Sequence, residues 1–193
     1  MTFCELNKYR NILVTGGAGF IGSNFIRKLL LNYKNNIFNL DKLGYASDLS
    51  PIKDVQSKLG EDSIIRHNLL NVDLVESYKV DKALETASPD LIIHFAAESH
   101  VDNSIDNPIN FINSNLVGTF NLLMSAKKYW MKLEINKKQK FKLIHVSTDE
   151  VFGSLSKYGS FSEDSIYNPS SPYSATKAGS DHLVKAWYKT YGL

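Results

Sequence analysis

Short apolar or β-branched runs alternate with segments of helical periodicity along all 193 residues, and that alternation constrains the fold more than any single residue. "NILVTG" reads as a strand that stops at glycine, and "FIGSNFIRKLLLNY" then sets Phe20, Ile21, Phe25, Leu29 and Leu30 at helical spacing. Further strands are expected at "IFNLD", "SIIRHNLL", "DLIIHFAA" and "FKLIHVS". Helices are expected at "VESYKVDKALETA", which Pro89 helps to terminate, over about residues 109–130, and from about 174 to 191. Strands and helices in this order imply an α/β fold with a doubly wound parallel sheet covered on both faces, a Rossmann domain occupying residues 1–193. A doubly wound dinucleotide fold normally has a sixth strand after its last such helix. This sequence stops at Gly192 and Leu193, so the expectation is a domain without that strand and without a C-terminal substrate domain.

Composition narrows the class. A hydrophobic content of 43% fills a sizeable core, and a net charge of +2 gives no pull towards nucleic acid or a membrane surface. The single cysteine, Cys4, excludes an internal disulfide framework and a multi-cysteine zinc site. It reads as a free thiol on an N-terminal arm, and no metal is expected. No apolar run approaches the roughly 20 residues of a membrane span and no signal pattern opens the chain, so a cytoplasmic protein is expected. The lysine-rich stretch from Lys127 to Lys142 reads as a solvated connection.

"VTGGAGFIGSN" places Gly16, Gly19 and Gly22 in the spacing G-x-x-G-x-x-G between a strand and a helix. Glycines there permit unusual dihedrals, let the backbone approach a pyrophosphate, and allow close packing of helix and strand. The helix N-terminus adds free N–H groups and partial positive charge. Asp41 ends the second strand, where a carboxylate accepts from adenosine-ribose hydroxyls, which favours NAD over NADP; Lys42 next to it works slightly the other way.

"YSATK" puts Tyr173 and Lys177 four residues apart on one helix face. Bringing a tyrosine pKa from near 10 to neutrality is worth roughly 4 kcal/mol, for which a nearby ammonium and a nicotinamide's charge are the plausible sources. "HVSTDEVFGSL" sets a hydroxyl, Thr148, and two acids, Asp149 and Glu150, at the end of a strand. Adjacent carboxylates repel, and their proximity should push one pKa up.

Together, "TGGAGFIGSN", "LDKLGYASDL", "HFAAESHVDNSI", "STDEVFGSL" and "YSATKAGSDHLV" resemble the N-terminal part of the dTDP-glucose 4,6-dehydratases, extended members of the short-chain dehydrogenase/reductase superfamily, from about residue 11 onward. Sugar epimerases of that superfamily share the glycine turn and the Tyr–Lys pair but usually lack the two acids. The resemblance implies NAD as cofactor and dTDP-glucose as substrate. It gives Tyr173 the C4 hydroxyl proton, Thr148 a hydrogen bond to the same oxygen, Glu150 the C5 proton, and Asp149 the proton donated to the leaving C6 hydroxyl. It further implies that Phe20 and Ile21 offer backbone to the pyrophosphate and that Asp41, Lys42, Leu43 and Gly44 hold the ribose. Asn68 and Leu69, where the family reads Asp-Ile, would meet adenine. Phe95, Ala96, Ala97, Glu98 and Ser99 would line the cofactor, Ser99 also reaching substrate, with Ser114 near the cofactor. Asn103 replaces a usual arginine and Phe152 a frequent tyrosine, while His94 and His100 are expected to pack or orient rather than catalyse. A homodimer through a four-helix interface is implied, with the fifth strand as an exposed edge. The alternatives are a catalytically silent NAD-binding module and an NAD-dependent sugar epimerase or reductase.

Overall fold

A computed structural model describes residues 3–155 and 158–193, with side chains from Leu6 onward, so the expectation for the Cys4 thiol lies outside the described side chains. Five parallel strands form one sheet among the described residues: β1 (Asn11–Thr15), β2 (Asn36–Asp41), β3 (His67–Asn71), β4 (Leu91–His94) and β5 (Lys142–His145). Their spatial order is β3-β2-β1-β4-β5, which leaves β5 at one edge. The helices between them are α1 (Phe20–Asn32), α2 (Ser50–Leu59), α3 (Glu61–Ile65), α4 (Ser77–Ala87), α5 (Val101–Asp106), α6 (Pro108–Phe111), α7 (Gly118–Met131), α8 (Ile135–Lys140) and α9 (Pro172–Tyr191).

Alternate residues of a strand point to opposite faces, so a sheet covered on both sides needs continuous apolar strands. β1 meets that need. Ile12 and Val14 join Ile26, Leu29, Leu30 and Ile37 on the face covered by α1 and α2, whereas Leu13 joins Leu40, Leu84, Ile92 and Leu122 on the face covered by α4 and α7. Every one of these side chains is buried, which explains why β1 and β4 carry no polar alternation. The C-terminal ends of β1, β2 and β4 open on the same side, where ligands bind in such sheets.

Two expectations are corrected and a third is refined. The run "SIIRHNLL" is not one strand: Gly60 (φ +77°) and the acids Glu61 and Asp62 start the short helix α3, and the strand begins only at His67. Phe20 and Ile21 do not belong to the packed face of α1. They are 93% and 61% exposed, and Gly22, Ser23, Ile26, Leu29 and Leu30 form the buried face instead. The lysine-rich connection contains the helix α8, and Lys138 stacks its ammonium 4.0 Å from the centre of the Trp130 ring.

The long helix expected over residues 109–130 is present but interrupted. Between α6 and α7 the segment Ile112–Val117 takes one wider π turn, so Phe111 meets the Tyr173 ring edge-on while Asn115 and Thr119 face inward. α9 starts with a capping box in which Ser171 and Ser174 exchange side-chain-to-backbone hydrogen bonds, with Pro172 at its first position. That cap fixes where Tyr173 and Lys177 emerge.

Candidate functional site

A cleft of about 370 Å³ runs across the strand ends. Gly16, Gly19, Phe20, Ile21 and Gly22 line one side of it, and Asp41, Lys42 and Gly44 the end of β2. Phe95, Ala96, Ala97, Glu98 and Ser99 line it after β4, with Ser114 from the π turn and Tyr173 and Lys177 from α9. Most of the expected residues therefore converge, with exceptions: Thr148, Asp149 and Glu150 do not line the cleft but directly follow Ser147, which does. Leu43 (φ +55°) lies beside the cleft rather than on it. Asn68 and Leu69 are off it, because β3 runs on to Asn71 and the chain enters the cleft only at Val72, Asp73 and Leu74.

The three glycines do different work. A Cβ on Gly22 would stand 2.2 Å from the Gly16 carbonyl oxygen and 2.8 Å from Gly17 Cα, so that glycine serves helix-to-turn packing. Gly16 takes φ +69° and a Cβ there would lie 2.6 Å from the Ala96 nitrogen. Gly19 differs: a Cβ would meet only the Gly16 carbonyl oxygen, at 3.3 Å. The protein leaves space above Gly19, on the cleft side, at a helix start with no side-chain cap. That combination fits a phosphate accepting from the free N–H groups of the first turn.

Asp41 is less available than its position suggests. Its Oδ2 accepts from the Ala18 N–H at 2.9 Å, and its Oδ1 from the Leu43 N–H at 2.8 Å and the Ser47 hydroxyl at 2.9 Å. Of about four lone-pair positions on a carboxylate, one is left for a ribose hydroxyl.

At the other end of the cleft, Tyr173 and Lys177 are buried. Burial pushes the Tyr173 phenol above its ordinary pKa; a hydrogen bond with Thr148 opposes this, while the carboxylates of Glu150, Asp149 and Asp181 add to it. Lys177 reaches the residue that follows β5. Its ammonium donates to the Val146 carbonyl at 2.6 Å, and burial brings its own pKa down against the raising effect of Asp181. Thr148 caps a short 3₁₀ turn (Asp149–Phe152), accepting from the Glu150 N–H at 3.3 Å, and the two acids of that turn act on the Tyr173 phenol through their charge. Phe152 packs edge-on against Tyr167 and tilted against Phe161.

His94 packs as expected, whereas a cluster around Asp181 was not anticipated. His94 is fully enclosed between Thr15 (Oγ1 to Nδ1, 2.6 Å) and Thr119 (Oγ1 to Nε2, 3.0 Å), and burial holds its pKa well below the usual value. His100 lies exposed at the start of α5. Behind Lys177, Asp181 accepts from the Ser147 hydroxyl and from the Tyr167 hydroxyl at 2.9 Å. His145 Nε2 lies 3.0 Å from its other oxygen, out of line for a hydrogen bond. Burial pushes Asp181 up, but these partners outweigh it and hold the carboxyl below its ordinary range, while burial and Asp181 push Tyr167 up to about 12. Asp181 follows Lys177 by four residues, so the row Tyr173, Lys177, Asp181 was visible in the spacing.

The sequence profile of the GDP-mannose 4,6 dehydratase family matches residues 13–193. The chain belongs to that family. It is 48% identical over 182 residues to a probable dTDP-glucose 4,6-dehydratase of Sinorhizobium fredii, covering 94% of this chain and 50% of the relative. It is 45% identical over 191 residues to the dTDP-glucose 4,6-dehydratase of Salmonella typhimurium, covering 94% of this chain and 51% of that protein. Among solved structures, a dTDP-glucose 4,6-dehydratase of Streptomyces venezuelae with NAD bound superposes with a TM-score of 0.80 at 38% identity, covering 94% of this chain and 52% of the other. A UDP-glucose 4-epimerase of Thermus thermophilus in complex with NAD gives 0.76 at 28% identity, over 94% of this chain and 52% of that one. This member of the GDP-mannose 4,6 dehydratase family spans about half the length of the curated relatives it matches, and corresponds to their N-terminal part.

Proposed function

We propose that this chain is the NAD-binding half of a dTDP-glucose 4,6-dehydratase and carries that reaction's acid–base residues. The observation that supports the reading most is that Tyr173, at the end of the cleft away from the glycine turn, shares a hydrogen bond with Thr148 and lies within electrostatic reach of Glu150 and Asp149. NAD, whose pyrophosphate suits the space over Gly19, would supply the hydride acceptor for C4 and the hydride later returned to C6. Tyr173 takes the proton of the C4 hydroxyl, with Thr148 hydrogen-bonding the same oxygen. A carbonyl at C4 acidifies the C5 proton, which Glu150 removes, while Asp149 donates a proton to the departing C6 hydroxyl. The buried Lys177 ammonium, fixed on the Val146 carbonyl, orients the end of β5 below Tyr173.

Burial works against ionisation of the Tyr173 phenol, and the positive charge that oxidised NAD would bring into the cleft works in its favour. The epimerase alternative shares the Tyr–Lys pair but leaves Asp149 and Glu150 without a task. We further propose a cytosolic homodimer through a four-helix interface built from the long interrupted helix and α9, where Ile109, Ile112, Phe120 and Tyr188 are exposed.

The test is titration of NAD into the chain, then addition of dTDP-glucose with detection of a 4-keto-6-deoxy product. Binding of NAD with product formation, lost in Tyr173→Phe and blocked after C4 oxidation in Glu150→Gln, supports the reading. Absence of NAD binding refutes it. NAD binding without product assigns the chain as a catalytically silent cofactor-binding module.

A further inference from the structure

Lys42, at the end of β2, and Glu98, in the loop after β4, form an ion pair that joins two walls of the cleft, with Nζ 2.7 Å from Oε1. Glu98 is held from behind. Asn115 Oδ1 accepts from its backbone N–H at 2.8 Å, and Asn115 Nδ2 donates to its carbonyl at 3.0 Å and to Thr176 Oγ1 at 3.0 Å. Lys42 is accommodated from the front, because a Cβ on Gly44 would come within 3.3 Å of its Cε. The pair is also partly sheltered, the side chains being 38% and 14% exposed, which favours a charge-assisted bond over an open surface pair.

The neighbouring Asp41 marks the place where such folds hold an adenosine ribose, the group on which NAD and NADP differ. With three of its lone pairs already taken, Asp41 discriminates by a single contact and by charge. A free lysine beside it would attract a 2′-phosphate and cancel much of that discrimination. We propose that Glu98 is a specificity-determining residue: by engaging Lys42 it withholds the neighbouring cation from a 2′-phosphate and keeps the cleft selective for a 2′-hydroxyl dinucleotide. This rests on the dinucleotide reading of the cleft given above.

The two ends of the pair make opposite predictions, which a merely structural bridge would not. In Glu98→Gln the lysine is released, and the ratio of NADP to NAD dissociation constants, measured by calorimetry, falls about tenfold. Lys42→Ala breaks the same pair without freeing a cation, so its ratio stays or rises, and Lys42→Ala added to Glu98→Gln removes the gain. A ratio in Glu98→Gln within twofold of the parent, a fall in Lys42→Ala, or a gain that survives in the double variant overturns the proposal. A parent chain that binds neither nucleotide overturns the dinucleotide reading and this inference with it, whereas a parent that binds NAD with an unmoved ratio overturns this inference alone.

Discussion

Gly19→Ala and Gly22→Ala add the same methyl group three residues apart and should separate ligand binding from folding. At Gly22 the methyl carbon would lie 2.2 Å from the Gly16 carbonyl oxygen and 2.8 Å from Gly17 Cα, both backbone atoms with no rotamer to yield. Overpacking of that kind costs about 1–3 kcal/mol, and immovable backbone puts this site at the upper end. Alanine's better helix propensity returns up to about 1 kcal/mol, leaving a net loss of about 2 kcal/mol. At about 2–4 °C per kcal/mol for a chain of this size, the melting temperature falls by about 4–8 °C. Gly19 has φ −74° and ψ 172°, which any residue adopts, and its methyl would meet only one oxygen at 3.3 Å. The cost of alanine at a helix start is offset by the lower entropy of the unfolded chain, so stability changes by less than about 0.5 kcal/mol. The methyl does occupy the approach to the first-turn N–H groups, and NAD affinity drops about tenfold or more. Thermal melts and NAD calorimetry on the two variants decide the matter. A Gly19→Ala chain that melts as low as Gly22→Ala while binding NAD normally would refute the reasoning.

The buried imidazoles give the fold an acid-sensitive component. His94 and His145 have pKa values lowered by burial, so as pH falls below about 6.5 the unfolded chain takes up protons first. Their stabilising contribution is complete above that pH and drains away as pH drops towards the folded-state values; melting at pH 5.5 should be lower than at pH 7.5, and equal values would count against it. Asp181→Asn weakens the acceptor for Ser147 and Tyr167 and should cost about 2 kcal/mol in urea unfolding, with Tyr167 ionising at lower pH in an ultraviolet titration. Asn115→Leu removes both hydrogen bonds that hold the Glu98 backbone, so NAD affinity should fall while far-ultraviolet dichroism stays native; unaltered affinity would show that this loop needs no support.

Much of the fold was legible because the central strands are buried on both faces, and continuous apolar runs such as "DLIIH" have few other uses. The glycine turn and the Tyr173–Lys177 pair were legible because each depends on local spacing. Periodicity misled at Phe20 and Ile21: an apolar side chain facing a cleft has the same signature as one facing the core. It misled again at "SII", where β-branched residues follow Gly60 and two acids that favour a helix start. The off-cleft position of Asn68 and Leu69 depends on where β3 ends, a boundary set by pairing with β2. Lys177's bond to the Val146 carbonyl and the tie of Tyr167 to Asp181 join segments 31 and 14 residues apart, which no local pattern encodes.

The π turn at Ile112–Val117 phases one helix to two references at once. Upstream, Phe111 is seated against the ring of Tyr173; downstream, Thr119 is bonded to His94 in the sheet. Inserting one further residue there at regular helical geometry would rotate one half by about 100° against the other, so either the tyrosine or the histidine would lose its neighbour. Substitutions within the turn should therefore be tolerated far better than an insertion, and one added residue there should uncouple the helix bearing Tyr173 from the strand bearing His94.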